Sequence, residues 1–94
     1  MLYEKMSTLV DNLEVAADVL DMMGEDANPG VVMAYRAISA MLREDLEAED
    51  SLFMDVAEFS SALGGLAQEE PNVGARTAYL LVVGRLERIL REHA

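Results

Sequence analysis

The string Asn-x-Gly-x-x-x-Ala-Tyr occurs twice in this chain, at residues 28–35 and again at residues 72–79. The two copies are 44 positions apart (72 − 28 = 44), and Leu42 and Leu86 keep the same offset. Two amphipathic segments match core to core through periodicity alone, but the shared string goes further than periodicity. The repeat therefore favours an internal duplication of one helical hairpin, with coincidence between two similar hairpins as the alternative.

Apolar residues recur at three-four spacing in four segments, which predicts helices over residues 2–23, 31–48, 52–67 and about 74–90. The polar segments 25–30 and 68–72 are turns within each pair of helices, and Glu49-Asp50-Ser51 separates the pairs. Connections this short pack sequential helices side by side. We expect one all-α domain over residues 1–94, a four-helix antiparallel bundle of two similar hairpins, 1–48 and 51–94.

Each of the first three helices has a predicted inward stripe. The stripes are Leu2, Met6, Leu9, Leu13, Ala17 and Leu20 on the first helix, Val31, Tyr35, Ile38, Leu42 and Leu46 on the second, and Leu52, Val56, Phe59, Leu63 and Leu66 on the third. Gly64 and Gly65 lower helix propensity and are expected to kink or end the third helix. The last helix is apolar on more sides than a small bundle needs, so we expect it to be central or half of an interface.

The balance of charge limits the partners of this chain. It has 18 acidic residues against 7 Lys and Arg, a formal charge of −11, so nucleic acids and anionic membranes would be repelled. There is no cysteine, no basic and apolar leader and no segment near the ~18 apolar residues of a membrane span. We expect an acidic protein of the cytoplasm.

Residues that carry catalysis are scarce, and we expect no enzyme, no metal and no cofactor. The one histidine, His93, is next to last, and the chain has no Glu-x-x-His pair for a di-metal site. Gly64-Gly65 lacks the lysine of a phosphate loop, and the loop beginning at Asp26 has Ala37 where a calcium loop needs glutamate. Tyr35 and Tyr79 are better explained as matched core residues than as ligand-stacking residues.

The first helix has a row of acids next to an apolar strip, which together form a candidate partner-binding face. Its residues are Asp11, Glu14, Val15, Asp18, Val19, Asp21 and Met22. No Lys or Arg is interleaved, so the row is expected to be self-repelling and to suit a partner with a basic and apolar surface. The duplication predicts that this strip is covered, either by the bundle itself or by another molecule, because its counterparts 44 positions later form a core stripe. A merely solvated face is the alternative.

The second and fourth helices have small or apolar residues on their outer sides, where charged residues are usual. These candidates for an oligomer interface are Met33, Ala37, Ala40, Thr77, Leu80, Leu81 and Gly84. Arginines are concentrated on the same two helices. A homodimer that packs these faces, with arginines at its rim, would bury the excess apolar surface.

Three functions of different classes fit the sequence. The first is a non-catalytic module that holds or inhibits a protein partner, as secretion chaperones, immunity proteins and phage-encoded inhibitors do, although no motif identifies a family. The second is a structural or assembly protein that acts by self-association. The third is a small-molecule binder with an inter-helix pocket, which is the weakest because no polar residues converge in the predicted core.

Overall fold

The computed structural model describes residues 1–93, and the regular structure in that range is helical throughout. Helix α1 spans Leu2–Met22, α2 spans Pro29–Glu47, α3 spans Leu52–Glu69 and α4 spans Val73–Glu92. Two short 3-10 turns, Gly24–Asp26 and Glu49–Ser51, follow α1 and α2. The prediction of an all-α bundle of two hairpins is confirmed, with helix bounds within a few residues of those expected.

The two hairpins pack together into an elongated bundle of 41 × 25 × 19 Å. α1 packs along α2, and α3 packs along α4, as short connections between sequential helices require. The hairpins meet mainly through α2 and α4, while contacts of α1 with α4 and of α3 with α2 are less extensive. α2 and α4 are therefore the central pair of the bundle.

Most of the buried core of α1, α2 and α3 comes from the predicted stripes, with Val10 as an addition to the stripe of α1. The core contains Met6, Leu9, Val10 and Leu13 of α1, Ile38, Leu42 and Leu46 of α2, Leu52, Val56 and Leu63 of α3, and Val82 and Leu86 of α4. Tyr35, Phe59 and Tyr79 are half-buried and pack against these residues. Each helix thus buries one stripe of apolar side chains, which is the main source of stability in a bundle of this size.

α3 differs from the prediction in two ways. It continues through Gly64 and Gly65 to Glu69, because nothing in the packing there forces a bend and the hydrogen bonds of the helix are preserved. Leu66, predicted to be in the core, is 50% exposed. The groove between α3 and α4 is lined by the flank of α3 that contains Ala57 and Ser61, and Leu66 lies on the opposite flank.

The offset of 44 residues relates α2 to α4 position by position. Three pairs of equivalent core residues have equal exposure: Ala34 and Ala78 at 2%, Ile38 and Val82 at 1%, and Leu42 and Leu86 at 0%. Tyr35 and Tyr79 are both half-buried beside the buried alanines. The two central helices therefore use the same face, and they contact each other through it.

The repeated asparagines form the contact at which α2 and α4 begin. Asn28 Oδ1 accepts the Gly30 amide at 2.9 Å, and Asn72 Oδ1 accepts the Ala75 amide at 3.0 Å, so each asparagine caps its own helix. Each side chain also donates to the other: Asn28 Nδ2 to Asn72 Oδ1 at 2.9 Å, and Asn72 Nδ2 to Asn28 Oδ1 at 3.1 Å. The backbone donors require Oδ1 at both positions, so the orientation of both amides is fixed. This reciprocal pair relates the starts of α2 and α4 by an approximate twofold axis.

The glycines of the repeated string leave room for the asparagine pair. A Cβ added to Gly30 would lie 2.5 Å from Asn72 Nδ2, and a Cβ added to Gly74 would lie 2.5 Å from Asn28 Nδ2. Every defined residue of the string now has a structural role. Asparagine caps one helix and pairs with the other, glycine makes space for that pair, alanine allows close approach, and tyrosine packs on the flank.

α1 and α3 do not follow the offset that relates α2 to α4. Val19 is 53% exposed, whereas its counterpart Leu63 is 1% exposed (63 − 19 = 44). The loops explain the difference, because residues 23–28 connect α1 to α2 and only residues 70–72 connect α3 to α4. The connection between α3 and α4 is three residues shorter. Residues of α3 are therefore displaced by about 4–5 Å along the partner helix, relative to the equivalent residues of α1. The bundle itself therefore does not cover the apolar strip of α1, and cover by another molecule stays a prediction.

Candidate functional site

Three apolar side chains of α1 lie on the surface of the bundle. Val15 is 60% exposed, Val19 is 53% exposed and Met22 is 87% exposed. Their spacing of four and three residues places them on one side of the helix, and we call them the apolar strip. Exposed apolar residues are common singly, but three in one row on one helix form a contiguous surface that another molecule can cover.

The acidic row of α1 is bridged by two arginines of α2. Arg43 Nη2 lies 3.0 Å from Asp11 Oδ1 and also pairs with Glu14, and Arg36 Nη2 lies 3.2 Å from Asp18 Oδ1 and 3.4 Å from Asp21 Oδ2. The expectation of a self-repelling row is therefore wrong, because the cations come from the neighbouring helix. Four carboxylates and two guanidinium groups leave a net charge of −2 in this row (−4 + 2 = −2).

The pair between Glu14 and Arg43 changes the pKa of both groups. The hydrogen bond from Arg43 lowers the pKa of Glu14, Coulomb attraction acts in the same direction, and partial desolvation opposes both. Hydrogen bonds to Glu14 and Asp11 raise the pKa of Arg43. Both groups are charged at neutral pH, so the ion pair between α1 and α2 is present there.

The structure does not bring the oligomer-interface candidates into one surface. Met33, Leu80 and Leu81 are 70%, 53% and 52% exposed, and Ala37, Ala40, Thr77 and Gly84 are exposed too. On α2 and on α4 these residues face away from the contact that the two helices share. The approximate twofold axis therefore places the two faces on different sides of the bundle, and an oligomer through either face stays a prediction.

Sequence reasoning missed the arginine bridges, although the spacing contained a signal. Arg36 and Arg43 are seven residues apart, as are Asp11 and Asp18, which is two helical turns in each case. When arginines on one helix and carboxylates on an adjacent antiparallel helix both recur every seven residues, each arginine can pair with a carboxylate. A search for cations on the same helix cannot find this arrangement.

Large grooves on the molecule are open to solvent, and the enclosed space is small. A groove of about 660 Å³ lies between α1 and α4, and one of about 640 Å³ lies where α1 and α2 join. A more enclosed cavity beneath Tyr35 and Leu81 measures only about 80 Å³. Pockets for small molecules usually measure about 300–1,000 Å³ and enclose most of the ligand. The dimensions favour contact with a macromolecule over enclosure of a small ligand.

Comparison with known proteins gives no relative from which a function could be transferred. No protein family model, curated protein or solved structure matches the chain. Among the side chains that the structure describes, no three histidines, aspartates or glutamates cluster in a way that could hold a metal ion. None of the four helices is long and apolar enough to cross a membrane. A proposal for function therefore depends on the surface chemistry described above.

Proposed function

We propose that this protein is a non-catalytic module that binds a protein partner through the apolar strip of α1 and the acidic row beside it. The observation that carries the proposal is the exposure of Val15, Val19 and Met22 next to four carboxylates. A partner with apolar side chains flanked by Lys or Arg would bury the strip and pair with the row. Binding would hold or inhibit that partner.

The arginine bridges support this proposal by making the surface rigid. Arg36 and Arg43 hold the carboxylates of α1 in place before binding, so fewer side-chain rotamers are lost when a partner docks. The remaining net charge of the row and the overall charge of −11 attract a basic partner from a distance. Steering by charge should then raise the association rate, and burial of the strip should lower the dissociation rate.

Capture of a partner by immobilised protein, with measured association and dissociation rates, tests the proposal. Val15→Ser and Met22→Ser should speed dissociation, because each removes buried apolar contact. Asp18→Asn should mainly slow association, because it weakens steering. The matched control is Val73→Ser, which replaces a residue 70% exposed at the start of α4, outside the strip.

Two results would reject the proposed surface. One is capture of the same partner, with unchanged rates, by Val15→Ser and Met22→Ser. The other is an equal loss in the Val73→Ser control, because the strip would then have no special role. Variants of exposed residues should keep their helical circular dichroism, so loss of binding can be separated from loss of fold.

An assembly protein that acts through self-association is the second candidate, favoured by the exposed Leu80 and Leu81 on α4. Covering these residues in a homodimer would remove apolar surface from water. Sedimentation of the wild type and of Leu81→Glu tests this candidate. A wild type that is monomeric at micromolar concentration, and unchanged by Leu81→Glu, would exclude a dimer through this face.

A further inference from the structure

The groove between the N-terminal half of α1 and the C-terminal half of α4 is unusually basic for so acidic a chain. Lys5, Arg85 and Arg88 line it, together with Glu4 and Glu92, which gives a net charge of +1 (3 − 2 = 1) against −11 for the whole chain. Apolar side chains, among them the half-buried Ile89, also line it. We call this surface the basic groove.

The cations of the basic groove are not all paired. Glu92 pairs with Lys5 and its Oε1 lies 3.5 Å from Arg88 Nε, so one carboxylate is shared by two cations. Arg85 forms no ion pair with any side chain that the structure describes. The groove therefore offers a free guanidinium beside apolar surface.

The corresponding surface beside α2 has the opposite charge. Arg88 and Ile89 of α4 correspond to Glu44 and Asp45 of α2 (88 − 44 = 44 and 89 − 44 = 45). Burial raises the pKa of Asp45, and the nearby charges of Asp55, Glu44 and Glu58 raise it further. No described Lys or Arg pairs with these four carboxylates, which we call the acidic corner.

We propose that the basic groove of one copy binds the acidic corner of a second copy. The free guanidinium of Arg85 meets carboxylates that lack cations of their own, so both surfaces gain a counter-charge. Met54, 64% exposed and one helical turn from Glu58, provides an apolar side chain for the groove. This contact does not use the apolar strip of α1.

The overall charge does not prevent this contact at physiological salt. Copies of charge −11 repel each other at long range, but the Debye length there is about 8 Å, so distant charges are screened while groups in contact are not. The groove and the corner lie on opposite sides of the approximate twofold axis. The interface is therefore heterologous, and copies add head to tail.

Sedimentation equilibrium in 0.15 M salt tests the groove. The wild-type mass should rise with concentration and pass beyond that of a dimer. Arg85→Glu should weaken association by about tenfold or more, because a like charge then faces the acidic corner. The matched control Arg91→Glu makes the same change of net charge on an exposed residue of α4 outside the groove, and it should associate like the wild type.

Reversal of charge in the corner provides the complementary test. Glu44→Lys should also weaken association, whereas Glu25→Lys, at the other end of the bundle, should not. Arg85→Glu and Glu44→Lys should each associate weakly alone, but an equimolar mixture should associate more strongly than either variant. In that mixture the intact groove of the Glu44→Lys copy binds the intact corner of the Arg85→Glu copy.

Three results would overturn the proposal. The first is a wild type that stays monomeric to about 0.5 mM, well above the micromolar range of weak specific contacts. The second is a wild-type mass that stops at the dimer. The third is a mixture of the two variants that fails to associate. Arg85→Glu and Glu44→Lys leave the apolar strip intact, so capture of a protein partner should be unchanged in both. Failure of this inference is therefore distinguishable from failure of the proposed partner-binding function.

Discussion

Replacing glycines with alanine, one at a time, should produce opposite effects in different parts of this small protein. Gly64, Gly65 and Gly84 lie inside helices, and a Cβ at any of them would meet no atom within 4 Å. Alanine there should stabilise the fold by about 0.5–1 kcal/mol through helix propensity alone. Gly30 and Gly74 are also helical, but each faces the side chain of the asparagine on the other hairpin.

The cost of Gly30→Ala can be estimated from the contacts it breaks. The new Cβ would lie 2.5 Å from Asn72 Nδ2 and 3.0 Å from its Cγ, so that side chain has to move away. The movement breaks the two hydrogen bonds between the asparagines, at about 0.5–1.5 kcal/mol each, and weakens the cap of α4, at about 1 kcal/mol. A gain of up to about 1 kcal/mol in propensity offsets part of this. We expect a net loss of about 1–3 kcal/mol.

Thermal unfolding followed by circular dichroism separates the two groups of variants. A change of about 1 kcal/mol shifts the melting temperature of a domain this size by about 4–8 °C. Gly64→Ala should therefore melt a few degrees above the wild type, and Gly30→Ala should melt below it. Gly74→Ala should lose at least as much as Gly30→Ala, since its Cβ would also lie 2.9 Å from Val31 Cγ2. If Gly30→Ala is stabilised as much as Gly64→Ala, the asparagine pair does not hold the hairpins together.

Three further variants test the electrostatics and the repeat. The folded pKa of Asp45 is raised above 3.8, so this carboxyl contributes stability at pH values below 3.8 that is lost as the pH rises through the folded pKa. Asp45→Asn should accordingly melt about 1–3 °C above the wild type at pH 7, and a gap that persists below pH 3 would contradict this. The pKa of Glu14 is lowered from 4.5, so its bridge stabilises the fold above that pH and is lost as the pH falls through the folded pKa. Arg43→Gln should return the pKa of Glu14 toward 4.5 in an NMR titration, and an unchanged pKa would refute the bridge. Tyr35→Ala and Tyr79→Ala should each cost about 2–3 kcal/mol, less than a fully buried aromatic, and unequal losses in urea unfolding would count against their equivalence.

Much of the fold could be predicted from the sequence because it depends on local periodicity. The three-four spacing located four helices, and the buried residues Leu13, Ile38 and Leu63 lie on the predicted stripes. The repeated asparagine string was visible as a repeat, but its meaning depends on a contact across 44 residues. Periodicity describes one helix at a time, so it cannot show that Asn28 and Asn72 meet.

The candidate site was predicted less completely, for a similar reason. The apolar strip of α1 could be read from one helical wheel, and the structure leaves Val15, Val19 and Met22 exposed. The partners of the acidic row, Arg36 and Arg43, come from the next helix and depend on how α1 and α2 are aligned. That alignment is fixed by the connection between them, and the same dependence on loop length explains why α3 does not repeat α1.

The asparagine pair also has a consequence for how the protein unfolds. Each asparagine caps its own helix while its amide binds the cap of the other, so opening one hairpin exposes the first turn of both central helices. In a hydrogen-exchange experiment, the amides of Gly30 and Ala75 should then be protected, and both should exchange through one shared opening event. Their exchange rates, corrected for intrinsic chemistry, should match each other and follow the global unfolding of the domain. Two hairpins that share one hydrogen-bonded start in this way form one cooperative unit.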